Sequence, residues 1–278
     1  MGKLDGKTVV ITGGARGQGR SHARLLASEG ANIVICDVPA PIETLPYATA
    51  TESDLAETVT IVEELDRRCV GVKADMRDPA QVANVMDTAA SEFGQIDILV
   101  VNHGICSYYE IKDMPDQAWQ DMIDVNLTGS FNAVRAVLPH MRPRKYGRIV
   151  LTASGLARQG QQTCGHYIAT KWGILGLTKS LALEVAQEGI TVNAILPTTV
   201  KTPMIMHDAM YQLFRPDLDN PTADDMVPIL SMLNAQGIPW VEPEAISHGV
   251  LYLVSDEAAN VTGGGMDVGA GWNARNSS

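Results

Sequence analysis

Cysteine, positive charge and long apolar runs are all scarce in this sequence, and each scarcity removes a class of function. Cys36, Cys69, Cys106 and Cys164 are the four cysteines in 278 residues, with no Cys-x-x-Cys pair and no neighbouring histidine at ligand spacing, so a zinc site is not expected. Lysine and arginine number 21 against 32 aspartates and glutamates, a formal net charge of -11. Nucleic acid and anionic membranes both require clustered cations, and such a balance argues against either. No apolar run approaches the ~20 residues of a membrane span. Residues 1–7 are polar where a signal peptide has its apolar core. These absences predict a cytoplasmic protein with reduced thiols, no metal, and no nucleic-acid or membrane partner.

What is present is the make-up of an ordinary globular chain, 45% apolar and long enough to bury a substantial core. The run Thr8–Thr12 is β-branched without polar alternation, as in a parallel strand covered on both faces. It empties into Gly13-Gly14-Ala15-Arg16-Gly17-Gln18-Gly19, after which 20–29 has a helical period and Gly30 is a natural stop. A second strand is expected over 31–37. Strand, glycine turn, helix and strand in that order form a dinucleotide-binding unit. Its glycines take positive φ, or let the backbone approach a pyrophosphate at the helix N-terminus. Asp37 closes the second strand at about the position where a carboxylate meets the adenosine ribose, which selects NAD over NADP. Arg16 pulls the other way, since a cation in the turn could reach a 2′-phosphate.

Further along, strands are expected over 69–75, 96–102, Gly147–Thr152, 189–196 and 265–269. Helices are expected over 54–68, Pro79–Phe93, 116–138, from the loop after Ser154 to about 188, and over 243–255. This alternation predicts one α/β domain, a Rossmann-type doubly wound parallel sheet with helices on both faces. Two segments break it. Residues 39–53 are proline-rich and without period, an insertion leaving the strand end that would hold adenosine, where a lid is reasonable. Residues 205–241 are rich in Met and Pro with weak helical pieces, a substrate-covering segment, and Met204, Met206, Met210 and Trp240 are pocket lining or core.

The chemistry concentrates between Ser154 and Lys171. Ser154 follows a buried strand, and Tyr167 and Lys171 stand one helical turn apart on one face. A hydroxyl, a phenol and an ammonium brought together can handle a proton. Asn102-His103-Gly104 is a second small-residue turn at a strand C-terminus, where open α/β sheets bind ligands. His103, Cys164 and His166 lie near the expected cleft and read as packing or rim.

On those residues, the chain resembles the short-chain dehydrogenase/reductase family over nearly its whole length. The pattern Thr12-Gly13-x-x-x-Gly17-x-Gly19, Asp75, Asn102-His103-Gly104, the spacing of Asn126, Ser154, Tyr167 and Lys171, and a Pro-x-x-Val-x-Thr-Pro-Met turn from Pro197 carry the resemblance. The insertion and Pro197-Thr198-Thr199-Val200 resemble its carveol dehydrogenase-like branch, associated with mycofactocin and with tightly held NAD. The resemblance implies Asn126, Ser154, Tyr167 and Lys171 as a catalytic tetrad. Lys171 would also bind the nicotinamide ribose, and Asn126 would position a water. It implies NAD contacts from the glycine turn, including Gln18, from Asp37, Asp75 and Met76, from Asn102, His103 and Gly104, and from Pro197, Val200 and Thr202. The activity implied is interconversion of a secondary alcohol, hydrophobic and cyclic or terpenoid, with its ketone. The assembly implied is a homotetramer, with mycofactocin as a redox partner. An NADP-dependent ketone reductase and a catalytically idle NAD-binding scaffold on the same fold are the alternatives.

Overall fold

The computed structural model describes residues 2–38 and 40–275. Its spine is the β-branched run β1 (Thr8–Thr12), buried at every residue. β2 (Asn32–Asp37) pairs with one edge of β1 and β4 (Ile98–Val101) with the other, both parallel. β3 (Cys69–Lys73) extends the sheet beyond β2, while β5 (Gly147–Thr152), β6 (Ile190–Pro197) and β7 (Gly265–Val268) extend it beyond β4. The resulting seven-stranded order is β3-β2-β1-β4-β5-β6-β7. The direction of winding reverses between β1 and β4, which opens a crevice at their C-terminal ends.

Successive strand residues point to opposite faces, so each central strand feeds two cores. Val9 and Ile11 of β1 pack with Leu26 of α1 (Gly17–Ser28) and Val250 of α9 (Pro243–Val254). Val10 joins the other core, with Val85 of α3 (Pro79–Phe93), Val137 of α5 (Gly129–Met141) and Ile174 of α6 (Gly165–Val185). Each fully buried Ile, Leu or Val side chain contributes about 1.5–3 kcal/mol. Helices cover both faces, as the alternation of elements predicts.

The boundaries differ from expectation in instructive places. α1 starts at Gly17 rather than residue 20, because the glycine turn runs directly into the first helical turn. α2 (Glu52–Glu63) starts on a Thr51–Asp54 capping box and ends short of residue 68, where Asp66 takes a left-handed φ of 57°. The helix expected over 116–138 is α4 (Asp116–Met122) and α5 joined by a π turn, Ile123–Thr128, that contains Asn126. The covering segment forms two short helices, α7 (Asp208–Phe214) and α8 (Ala223–Leu233). Pro39, the first residue of the expected insertion, lies outside the described residues, and 40–51 form no helix or strand. Among the described residues no helix is long and apolar enough to cross a membrane.

Candidate active site

The crevice begins with glycines that nothing else can replace. Gly13 has φ +65°, and a Cβ there would stand 2.7 Å from the His103 Cα. A Cβ on Gly19 would stand 2.0 Å from the Gly13 carbonyl oxygen. Arg16, at the N-cap of α1, makes no side-chain cap, so first-turn amides keep their capacity to bind an anion. Gly17 and Gln18 line this cleft, and the buried Gln18 Oε1 has no protein partner. A pyrophosphate fits this cradle.

At the far end of the cleft, the Asp37 carboxylate accepts from the Ala15 amide at 3.1 Å and the Val38 amide at 2.9 Å. Burial pushes its carboxyl up, against the pull of those amides and of Arg16. The guanidinium of Arg16 donates to the Ala48 carbonyl of the insertion, so the cation weighed against Asp37 is engaged elsewhere. Asp75 and Met76 border the same end, together with Val38 and Ile42. Arg77 grips Asp75 with Nε and Nη2, at 2.9 and 2.6 Å from its Oδ2. Although burial opposes it, that guanidinium holds the Asp75 carboxyl below the usual carboxylate range. The Cys36 thiol lies 3.8 Å from the Met76 sulfur underneath.

The insertion forms the roof. Ile42, Leu45, Tyr47 and Ala50 line the cleft opposite the glycine turn. Three contacts tie it down: the Tyr47 hydroxyl accepts from the Cys106 amide at 3.0 Å, Thr44 Oγ1 donates to Asp121 at 2.7 Å, and Arg16 holds Ala48. The Tyr47 ring also stacks on His207 of the covering segment, with centroids 5.1 Å apart.

At the other end, one cavity is lined by Gln18, Asn102, Gly104, Ser154, Tyr167 and Lys171, with Pro197, Val200 and Thr202 along its far wall. Sequence reasoning placed all of these at the site, and the structure brings them together. Asn126 stands behind that wall, and His103 lines the adjoining dinucleotide cleft. Asn126 grips the Ile105 backbone from both sides, Oδ1 accepting at 2.8 Å and Nδ2 donating at 3.0 Å. His103 accepts from Thr12 Oγ1 through Nδ1 at 2.7 Å and donates from Nε2 to the Val125 carbonyl at 3.1 Å, the tautomer being set by those partners. Burial, reinforced by Lys171, lowers His103 to about 4, so it is neutral. It ties the ends of β1 and β4 to the π turn.

Lys171 Nζ donates to the Thr152 carbonyl at 2.8 Å and lies 5.4 Å from the Tyr167 ring centre. Burial lowers Lys171 to about 8. Burial also pushes the Tyr167 phenol well above the usual tyrosine range, with Cys106 adding to the rise and Ser154 opposing it. The chain by itself therefore disfavours a phenolate, whereas the simple pairing with Lys171 favours one. Positive charge brought into the adjoining cavity would lower the phenol.

A second cavity adjoins the first and shares Ser154 and Tyr167 with it. Its walls are mainly apolar: Leu156, Met204, Ile205, Met210, Phe214 and Trp272. Trp240 packs behind Met210 rather than lining it. Sequence reasoning missed Tyr47, Tyr108 and Trp272. The insertion's lack of period hides where Tyr47 points, and no motif links Trp272 to a site so distant in sequence. Among the described residues no group of three or more His, Cys, Asp or Glu is placed to hold a metal ion.

A phosphate cradle leading to a hydroxyl, a phenol and an ammonium defines a dinucleotide-dependent oxidoreductase of alcohols and ketones. The chain belongs to the short-chain dehydrogenase family, whose model matches residues 7–210. Among its relatives, (-)-trans-carveol dehydrogenase of Rhodococcus erythropolis is 41% identical over 273 residues, 98% of this chain and 99% of the relative. Carveol dehydrogenase from Mycobacterium avium, solved in complex with NAD, is 44% identical with a TM-score of 0.97, over 99% of this chain and 100% of that one. A short chain dehydrogenase from Mycobacterium paratuberculosis bound to NAD is 33% identical with a TM-score of 0.89, over 98% of this chain and 100% of that one.

Proposed function

We propose that this NAD-dependent oxidoreductase interconverts a hydrophobic cyclic secondary alcohol, of the carveol kind, with its ketone, using Tyr167 as acid and base. The observation that carries the reading is that Ser154 and Tyr167 sit on the boundary between the dinucleotide cleft and the apolar cavity. NAD, when bound, takes up or returns the hydride and in its oxidised form brings a positive charge. Ser154 donates to the substrate oxygen and holds it toward Tyr167, and the phenol oxygen takes the hydroxyl proton as the carbonyl forms. Bringing a phenol from about 10 to neutrality requires roughly 4 kcal/mol. The Lys171 ammonium, 5.4 Å from the ring centre, supplies part of that. Burial works against that, so Lys171 alone is insufficient. Asn126 acts from behind, keeping Ile105 and the π turn in place beside Lys171 and positioning the water that links it to solvent.

The substrate class is supported by the cavity's apolar walls and by the named relatives. Purified protein assayed with NAD and an artificial electron acceptor should favour secondary monoterpene alcohols over short linear alcohols by at least about 100-fold in kcat/KM. A preference for small polar alcohols would overturn the substrate class. No hydride transfer from any alcohol would favour the idle scaffold.

The anchored insertion supports a further part of the proposal: residues 39–53 clamp NAD, and electrons leave through a redox partner such as mycofactocin rather than by exchange of the cofactor. Protein dialysed extensively should retain NAD, and deletion of 40–50 should release it. Protein that always purifies without cofactor, or a deletion variant that retains it, would rule out the clamp. Exposed Trp119, Phe131, Trp172 and Leu183 on α4, α5 and α6 support association between copies of the chain, and a cytoplasmic homotetramer is part of the same proposal.

A further inference from the structure

Two of the four cysteines have no part in hydride transfer, yet both line the substrate cavity. Cys106 lies on the loop after β4 and Cys164 at the N-cap of α6. They are only 5% and 1% exposed, so what reaches them must come through that cavity. Their loops are fastened together: the Tyr109 amide donates to the Thr163 carbonyl at 2.9 Å, and Ser107 Oγ meets His166 Nε2 at 3.0 Å. The two thiols act on each other as neighbours, Cys164 raising Cys106 and Cys106 lowering Cys164.

The two sulfurs are chemically unequal. Cys164 caps a helix of 21 residues and makes no side-chain cap, so the positive end of the helix favours its thiolate. The neighbouring Cys106 holds the Cys164 thiol below its usual range against the effect of burial. Cys106 is pushed well above its usual range by Cys164 and by burial. An ionisable thiol beside a protonated one is the arrangement of an attacking and a resolving cysteine. Cys36 and Cys69 provide the contrast. Both are buried strand residues, and burial raises both thiols, that of Cys69 to about 12.

We propose that Cys106 and Cys164 form an oxidisable dithiol that reacts with small hydroperoxides entering the substrate cavity and closes to a disulfide in its wall. The Cys164 thiolate attacks the peroxide O–O bond, becoming a sulfenic acid and releasing hydroxide. The Cys106 thiol then condenses with it, forming the S–S bond and expelling water. With hydrogen peroxide, two thiols and one peroxide give one disulfide and two waters, so two electrons pass to the peroxide. A dithiol reductant reverses the change. The disulfide pins the loop after β4 to the start of α6 beside Tyr167, and thereby fixes a wall that substrate must pass.

Thiol counting and peptide mapping test this without reference to the proposed activity. Full-length protein treated with hydrogen peroxide should lose two of its four titratable thiols. Its intact mass should fall by two hydrogens, and one peptide pair should link Cys106 to Cys164, released by dithiothreitol. In Cys106→Ser the reaction should stop at a Cys164 sulfenic acid that dimedone traps. Oxidation falling first on Cys36 or Cys69, disulfides between chains, or four thiols surviving peroxide that oxidises free cysteine would each overturn the proposal. If Cys106→Ser does not fold, the wild-type map decides alone.

Discussion

Tyr167→Phe should lower kcat by about 10²–10⁴-fold while leaving NAD affinity nearly unchanged. The substitution removes one oxygen and keeps a ring that is half-buried and packs against the Ile42, Ile105 and Met122 cluster. The cleft that holds the dinucleotide is built mostly from other residues, so cofactor titration should look like wild type. The pH dependence distinguishes a proton-transfer role from a packing role. In wild type, kcat/KM for alcohol oxidation should rise with pH until the phenol is ionised in the cofactor complex, and that limb should vanish in the variant. Because burial raises the phenol in the chain itself, NAD binding should also shift the Tyr167 titration downward. Unchanged turnover in Tyr167→Phe would remove Tyr167 from the mechanism.

The second large effect is on stability, and its sign is opposite to what loss of an active-site residue usually brings. Lys171 is 4% exposed and titrates at about 8 in the fold, against 10.5 in an unfolded chain. The unfolded state therefore binds more protons between those values, and stability rises with pH across that window. Below pH 8 the buried ammonium costs roughly 3 kcal/mol, of which the bond to the Thr152 carbonyl returns about 1. Cofactor-free Lys171→Met should accordingly be about 2 kcal/mol more stable than wild type at pH 7, with a melting temperature higher by several degrees. The gap should close toward pH 10.5, and the variant should be nearly inactive. Thermal unfolding at pH 7 and pH 10 checks this, and a variant that is less stable at pH 7 would contradict it. A site that pays stability for a poised cation follows the usual trade between activity and robustness.

The parts of the fold legible in the sequence are those fixed by local chemistry. α3 matches its expected range because every signal is in the sequence: Asp78 caps the Ala80 amide, Pro79 occupies the first turn, and Gly94 ends the helix at φ 79°. β5 matches as an unbroken run between a turn and Ala153. The π turn at Asn126 was not legible, because no local signal in the sequence marks it. What fixes it is the distant Ile105 backbone that Asn126 grips. The grouping of Ser154, Tyr167 and Lys171 could be read from spacing, since two of them share a helix face. The rise of the Tyr167 phenol could not, because it depends on burial by the fold and on Cys106 and Tyr47 arriving from two other segments.

The bond from Arg16 to Ala48 carries a consequence for anyone redesigning cofactor choice. Removing the carboxylate of Asp37 would delete the repulsion toward a 2′-phosphate, while the nearby guanidinium stays directed toward the Ala48 carbonyl by its bond there. A switch toward NADP is thus a two-part edit, one change at the strand end and another that frees Arg16 from the insertion. The order matters as well. Loosening the insertion first would free Arg16 while Asp37 still repels a 2′-phosphate, so either change alone leaves the switch incomplete.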